Sequence, residues 1–255
     1  VTGVKRKLRP ESFADHYSQA RQFYRSQTPI EQNHIADALI FELSKIEVAR
    51  IRERMLTHLP NIDPNLAETV AAGLGVEMPE PAIPMVDPVD LPRSDALSIL
   101  KMQVAGFKGR KMGIVVTDGV SDEVLDGLTV AVRAAGAVPA IIAARIGGVV
   151  TAGGTQVKAD YMAEAAPSAL FDAVAVLASV EGVASLTSLH AARSFAADAV
   201  AHGKVIGMTA PASALFATVG VEGRDAGMFL LESGADVPDF VSACGQLRYW
   251  PRIER

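Results

Sequence analysis

One cysteine, Cys244, stands in 255 residues, so no intramolecular disulfide can form and no site needing several thiolates can be built. A lone cysteine accords with a reducing compartment, and the cytoplasm is the expected location. The five histidines, at positions 16, 34, 58, 190 and 202, form no HxxxH or HxH pair and have no acidic ligands at recognisable spacing, so no metal site is expected. No apolar run reaches the 18 residues of a membrane-spanning helix and the N-terminus lacks a signal-peptide core, so no membrane partner is expected. Basic excess is missing too: residues 1–75 carry ten basic and nine acidic groups, 76–104 two and five, and 105–255 twelve and fifteen. Duplex nucleic acid, which is bound through a concentration of Lys and Arg, is therefore not an expected partner.

What is present divides into three stretches. In the first, ADHYSQARQFYRS, PIEQNHIADALIFELSKI, EVARIRERMLTHL and PNLAETVAAGL repeat apolar residues every three or four positions, the period of amphipathic helices. Thr28-Pro29-Ile30-Glu31 has the form of a capping box, and Asp63-Pro64 opens the fourth helix in a similar way. Phe13, Tyr17, Phe23, Tyr24 and Phe41 cluster here, spaced to face neighbouring helices or a partner. From Glu77 to Pro92, prolines at 79, 81, 84, 88 and 92 prevent regular helix or sheet and favour a stiff, extended linker. The expected units are a helical region at 1–76 with an extended lead, a proline-rich linker at 77–104 and a further domain at 105–255. The basic lead beginning at Val1 reads as the continuation of something longer, a processed or truncated product.

Beyond the linker, continuous apolar runs (MGIVVT, VPAIIAA, DAVAVLAS, KVIGMTA) alternate with helical patterns, as parallel strands buried on both faces do. Gly136 and Gly203 fall where helix C-caps are wanted. The interlude RIGGVVTAGGTQVKADYM predicts a small hairpin around Gly153-Gly154; its GGVVTAGG lacks the Lys and Ser/Thr of a phosphate loop. The fold class is α/β: an N-terminal helical segment followed by a doubly wound, flavodoxin-like parallel-sheet domain.

An open parallel sheet binds ligands at the carboxyl ends of its strands. After MGIVVT, the Asp118–Asp122 turn is expected to cap the next helix. Ser179-Val180-Glu181-Gly182 offers one carboxylate without a positioned partner and reads as a solvated turn. After KVIG comes Met208-Thr209-Ala210-Pro211, at the strand-to-helix turn where many enzymes expose a nucleophile. Methionine cannot serve, and Thr209 has no adjacent base, His202 lying at the end of the preceding helix. Cys244 reads as an inert apolar filler.

SFADHYSQARQFYRSQTPIEQNHIADALIFELSKIEVARIRERMLTHLPNIDPNLAETVAAGLGV closely resembles the helical region of large-subunit monofunctional haem catalases, over about residues 10–76. The remainder, with its GRKMGIVV entry and closing YWPRI, is similar to the extra C-terminal domain of those enzymes. The resemblance implies peroxide dismutation on haem b by the whole enzyme, with the distal His and Asn and the proximal Tyr N-terminal to the matched region. It therefore implies no catalytic residue and no cofactor in this chain, a catalase core and a homotetramer as partners, and a structural, stabilising role. In small-subunit catalases positions matching Gln19, Gln22 and Phe23 help hold a nucleotide; a hydroxyl residue usually stands at Gln22, and no nucleotide is expected here. The C-terminal domain also looks like the class I glutamine amidotransferase superfamily, whose Cys elbow aligns with Met208 and Thr209 and whose supporting Glu aligns with Ser121, so both halves of that site are degenerate. Two other functions stay open: a detached binding or chaperone-like module using apolar surface, and, more remotely, a hydrolase using Thr209 or Cys244.

Overall fold

The computed structural model describes residues 3–102 and 105–253; Val1, where the basic lead begins, and residues 103–104 at the end of the proline-rich stretch lie outside them. The chain forms two units, 1–104 and 105–255.

In the first unit, helices α1 (Ser18–Ser26), α2 (Pro29–Ser44), α3 (Ala49–His58) and α4 (Pro64–Leu74) surround a core that includes Tyr24, Leu43, Leu56, Leu66 and Val70. The Thr28–Glu31 capping box forms, and the Asp63 carboxylate accepts from the Asn65 amide. Of the aromatic cluster, Tyr17 and Tyr24 are buried while Phe13, Phe23 and Phe41 are exposed.

The proline-rich stretch is extended, but it is not a free spacer. It runs as a strap against the helices and ends in a short turn of helix, α5 (Ile99–Met102). Its backbone is tied down by side chains: the Val89 amide donates to Ser18 Oγ, the Ser94 amide to Ser26 Oγ and the Leu100 amide to Glu31 Oε1, at 2.8, 3.0 and 3.1 Å. Arg21 and Arg25 both reach Asp90, at 2.5 and 2.6 Å. Prolines remove amide donors that an unpaired segment would otherwise have to satisfy, and the remaining donors find these acceptors.

The second unit begins with β1 (Lys111–Val116), α6 (Asp122–Ala134) and β2 (Val138–Ala143). The hairpin β3 (Val149–Val150) and β4 (Gln156–Val157) follows, antiparallel as expected, and β5 (Tyr161–Met162) joins the edge of the main sheet beside β2. Then come β6 (Ala173–Leu177), α7 (Val183–Ser188), α8 (His190–Ala201), β7 (Ile206–Met208), α9 (Ser213–Ala217), β8 (Met228–Leu230) and α10 (Val237–Cys244). The sheet order is β5-β2-β1-β6-β7-β8 and all its pairings are parallel. Setting β5 aside, the five core strands follow the 2-1-3-4-5 order of flavodoxin-like folds.

Alternate residues of each strand serve opposite faces. Met112, Ile114 and Val116 of β1, with Ala173, Ala175 and Leu177 of β6, pack with α6 and α10. Val115, Val174 and Val176 pack on the other side with Phe195 and Ala199 of α8 and Leu215 and Phe216 of α9. Both faces are covered, which is why these strands read as uninterrupted apolar runs. Gly136 and Gly203 take left-handed conformations after α6 and α8, with φ of 74° and 60°, as the C-cap reading requires.

Candidate functional site

The crevice of a doubly wound sheet opens where strand order reverses, here between β1 and β6. The turns leaving these strands are stitched together. Thr117 Oγ1 accepts from the Ser179 amide at 2.8 Å, Ser179 Oγ donates to the Asp118 carbonyl at 2.6 Å, and the Gly182 amide donates to Ser179 Oγ at 2.8 Å. Gly182 is required by this approach: a Cβ there would stand 2.3 Å from Thr117 Oγ1. The same stitching extends to β7, where the Thr209 hydroxyl donates to the Ala178 carbonyl at 2.7 Å and accepts from the Ala178 amide at 3.0 Å.

Each residue singled out in the sequence has a definite place. Ser121 is the N-cap of α6, its Oγ accepting from the Val124 amide at 3.4 Å. Met208 is buried in the face that includes Val176, Ile206 and Phe216. The hydroxyl of Thr209 has both its donor and an acceptor site engaged with the backbone of one residue, Ala178, at the neighbouring strand end. Ser121 follows β1 and Met208 ends β7, with β6 between them, and among the described residues no hydrogen bond joins Ser121 to Met208 or Thr209. Glu181 is exposed. Cys244 is buried in α10, and burial pushes its thiol pKa well up, so the reactive thiolate is suppressed.

On α1, Gln19 is exposed and Phe23 is largely so, while Gln22 Nε2 donates to the Pro92 carbonyl at 2.9 Å. The strap thus engages the side chain at the middle of the three nucleotide-helix positions. Among the described residues no group of three or more His, Cys, Asp or Glu is placed to hold a metal ion, and no helix is long and apolar enough to cross a membrane. His58 Nδ1 is paired with the Tyr17 hydroxyl at 2.8 Å, and His190 Nε2 with Ser194 Oγ at 3.5 Å.

Two features were not foreseen. The first is a cavity of about 700 Å³ at the sheet's switch point, walled by the turns after β1 and β2, the β3–β4 hairpin and α7. Its signal in the sequence was only the general rule for open sheets; the hairpin that walls it is positioned by Asp122, which accepts from Thr151 Oγ1 at 2.5 Å and from the Gly153 amide at 2.7 Å. Those two donors hold the Asp122 carboxyl below the usual carboxylate range. The second is Lys204, 2% exposed, whose ammonium donates to the Ser168 and Phe171 carbonyls. Burial, with the neighbouring charge of Arg248, lowers its pKa from 10.5 to about 8.

Residues 10–74 match the family described as catalase-related immune-responsive, and residues 108–254 match the C-terminal domain found in long catalases. The chain belongs to the large catalases. Catalase C of Rhizobium meliloti is 47% identical over 253 residues, covering 98% of this chain and 36% of that protein. Catalase HPII of Pseudomonas aeruginosa is 35% identical over 99% of this chain and 35% of its own length. Catalase-1 of Neurospora crassa is 31% identical over 85% of this chain and 29% of its own length. The chain thus spans about a third of the length of the curated catalases it matches, and it corresponds to their C-terminal part, helical segment and flavodoxin-like domain together.

Proposed function

We propose that this chain is the structural, stabilising C-terminal portion of a haem catalase, a cytoplasmic homotetramer that dismutes hydrogen peroxide to water and oxygen. The peroxide chemistry belongs to the part of the enzyme outside this chain. The observation that carries this reading is the match to large catalases along nearly the whole chain, over only about a third of their length. The strand-end chemistry agrees with it. An acyl-transfer enzyme of this fold needs an exposed nucleophile and a positioned base, whereas Met208 is packed in the core and Thr209 is spent on Ala178.

Neither tyrosine of the helical segment nor the switch-point cavity fits haem. A tyrosine that ligates iron does so as phenolate, but burial, assisted by the charge of Asp63, raises the pKa of Tyr24, and the Tyr17 hydroxyl is paired with His58. The 700 Å³ cavity has no His, Tyr, Cys or Met in its lining, so no axial ligand is offered there. No step through haem is assigned to this chain; its groups hold the fold.

Removing residues 105–255 from the whole catalase tests the role. The expected product binds haem and turns over peroxide, but inactivates faster on heating and loses the tetramer at lower temperature. Loss of haem binding in a truncated protein that remains folded by circular dichroism would contradict the structural assignment.

A further inference from the structure

We infer that the switch-point cavity of the second unit is a binding site for a small organic cation, an amine or amidinium carried on an apolar body. The volume, about 700 Å³, lies within the range of small-molecule sites, roughly 300–1,000 Å³. Its position, outside the carboxyl ends of β1, β2 and β6 where strand order reverses, is where this architecture opens a crevice.

The charge of the ligand follows from what the walls have left to offer. A phosphate or carboxylate would need free amide donors or a cationic cluster. Four of the wall amides are spent: Gly119 donates to the Val150 carbonyl, Val150 to Asp118 Oδ1, Ala152 to the Val120 carbonyl and Gly182 to Ser179 Oγ. Arg145 is the one cation among the lining residues, and it faces Asp118 Oδ2 at 3.9 Å. Acceptors, by contrast, remain. The Glu181 carboxylate, Oε2 3.7 Å from the position a Cβ would take on Gly119, has no hydrogen bond or ion pair among the described residues. With Asp118 beside Gly119, the cavity carries two carboxylates against one guanidinium. Val116, Val149, Leu186 and Leu189 supply the apolar wall against which the body of the ligand would lie.

The cavity is also preorganised. The hydrogen bonds of Asp118 and Asp122 to the hairpin fix one wall and the Thr117–Ser179–Gly182 stitching fixes another, so little ordering is needed on binding.

Three probes of nearly one shape, benzamidine, benzamide and benzoate, test the assignment on the whole chain by amide chemical shifts, with flavin mononucleotide as a phosphate-bearing control. Benzamidine is expected to give saturable shifts at Thr117–Gly119, Ala144–Arg145 and Gly182–Leu186, with benzamide and benzoate at least about tenfold weaker. Glu181→Gln removes the charge from a side chain that holds nothing in the fold, and is expected to weaken benzamidine by about tenfold without altering the melting midpoint. No saturable shift at these amides, equal binding of benzoate, tighter binding of the flavin, or full affinity in Glu181→Gln would each overturn the inference.

Discussion

Lys204 shows how a single residue can be decisive in the structure and silent in the sequence. In KVIGMTA it reads as the polar flank of a strand, yet it is 2% exposed and bonded only to carbonyl oxygens. Its folded pKa, about 8, lies below the usual 10.5, so between those values the unfolded chain binds more protons than the folded one. Stability from this group is therefore lowest below pH 8, rises through the window and is complete above 10.5. Urea unfolding at steps from pH 7 to 10 should show a rising component, on the order of 2 kcal/mol, that is missing in Lys204→Met. At every pH the variant also removes the Lys204 donor from the Phe171 carbonyl, while the Ser168 carbonyl keeps the Phe171 amide, so the two proteins differ in slope as well as in level. An equal slope in both would dissociate Lys204 from the effect. Met208, Thr209 and Ser121 could be weighed at this scale because what a side chain can do chemically needs no coordinates; the partners of Thr209, the Ala178 amide and carbonyl on the neighbouring strand end, needed the fold.

Elements were read well where their signals are local. The capping box of α2 and the C-cap glycines after α6 and α8 appear where a few neighbouring residues dictate them. The three-residue strand β8 and the two-residue β5 escaped, since so short an apolar stretch has no period, and α7 was hidden by lying next to α8. The strap was legible as extended chain but not in its attachments, because its partners are about 70 residues away in sequence. Glu31 is the joint between the two kinds of signal. It closes the capping box with Thr28 and also accepts from Ser98 Oγ at 2.7 Å and from the Leu100 amide at 3.1 Å. Burial alone would raise its pKa, but these donors outweigh it and hold the carboxyl at about 2 instead of 4.5. This stabilisation is present above pH 4.5 and is lost as the pH falls toward 2. Glu31→Ala is expected to cost about 1–3 kcal/mol and to speed hydrogen exchange at Leu100, leaving the interior of α4 protected. Unchanged exchange at Leu100 would remove Glu31 from its place as the anchor of the strap.

At the scale of the whole molecule, two units with separate cores are joined in one chain that carries the family signatures of large catalases over residues 10–74 and 108–254. The α/β class and the flavodoxin-like order follow from apolar strands covered on both faces, a pattern that survives without any knowledge of a site. The switch-point cavity did not follow from the pattern, because its walls come from four separated stretches and one of them, the hairpin, is positioned by the hydrogen bonds it donates to Asp118 and Asp122. In the proposed function the chain supports peroxide chemistry performed elsewhere in the enzyme. The most direct test is to titrate haem into the purified 255-residue chain and follow the Soret band and oxygen release from hydrogen peroxide. The proposed role predicts a spectrum and a rate no different from haem with an unrelated protein, whereas a stoichiometric Soret band with peroxide turnover would overturn that role.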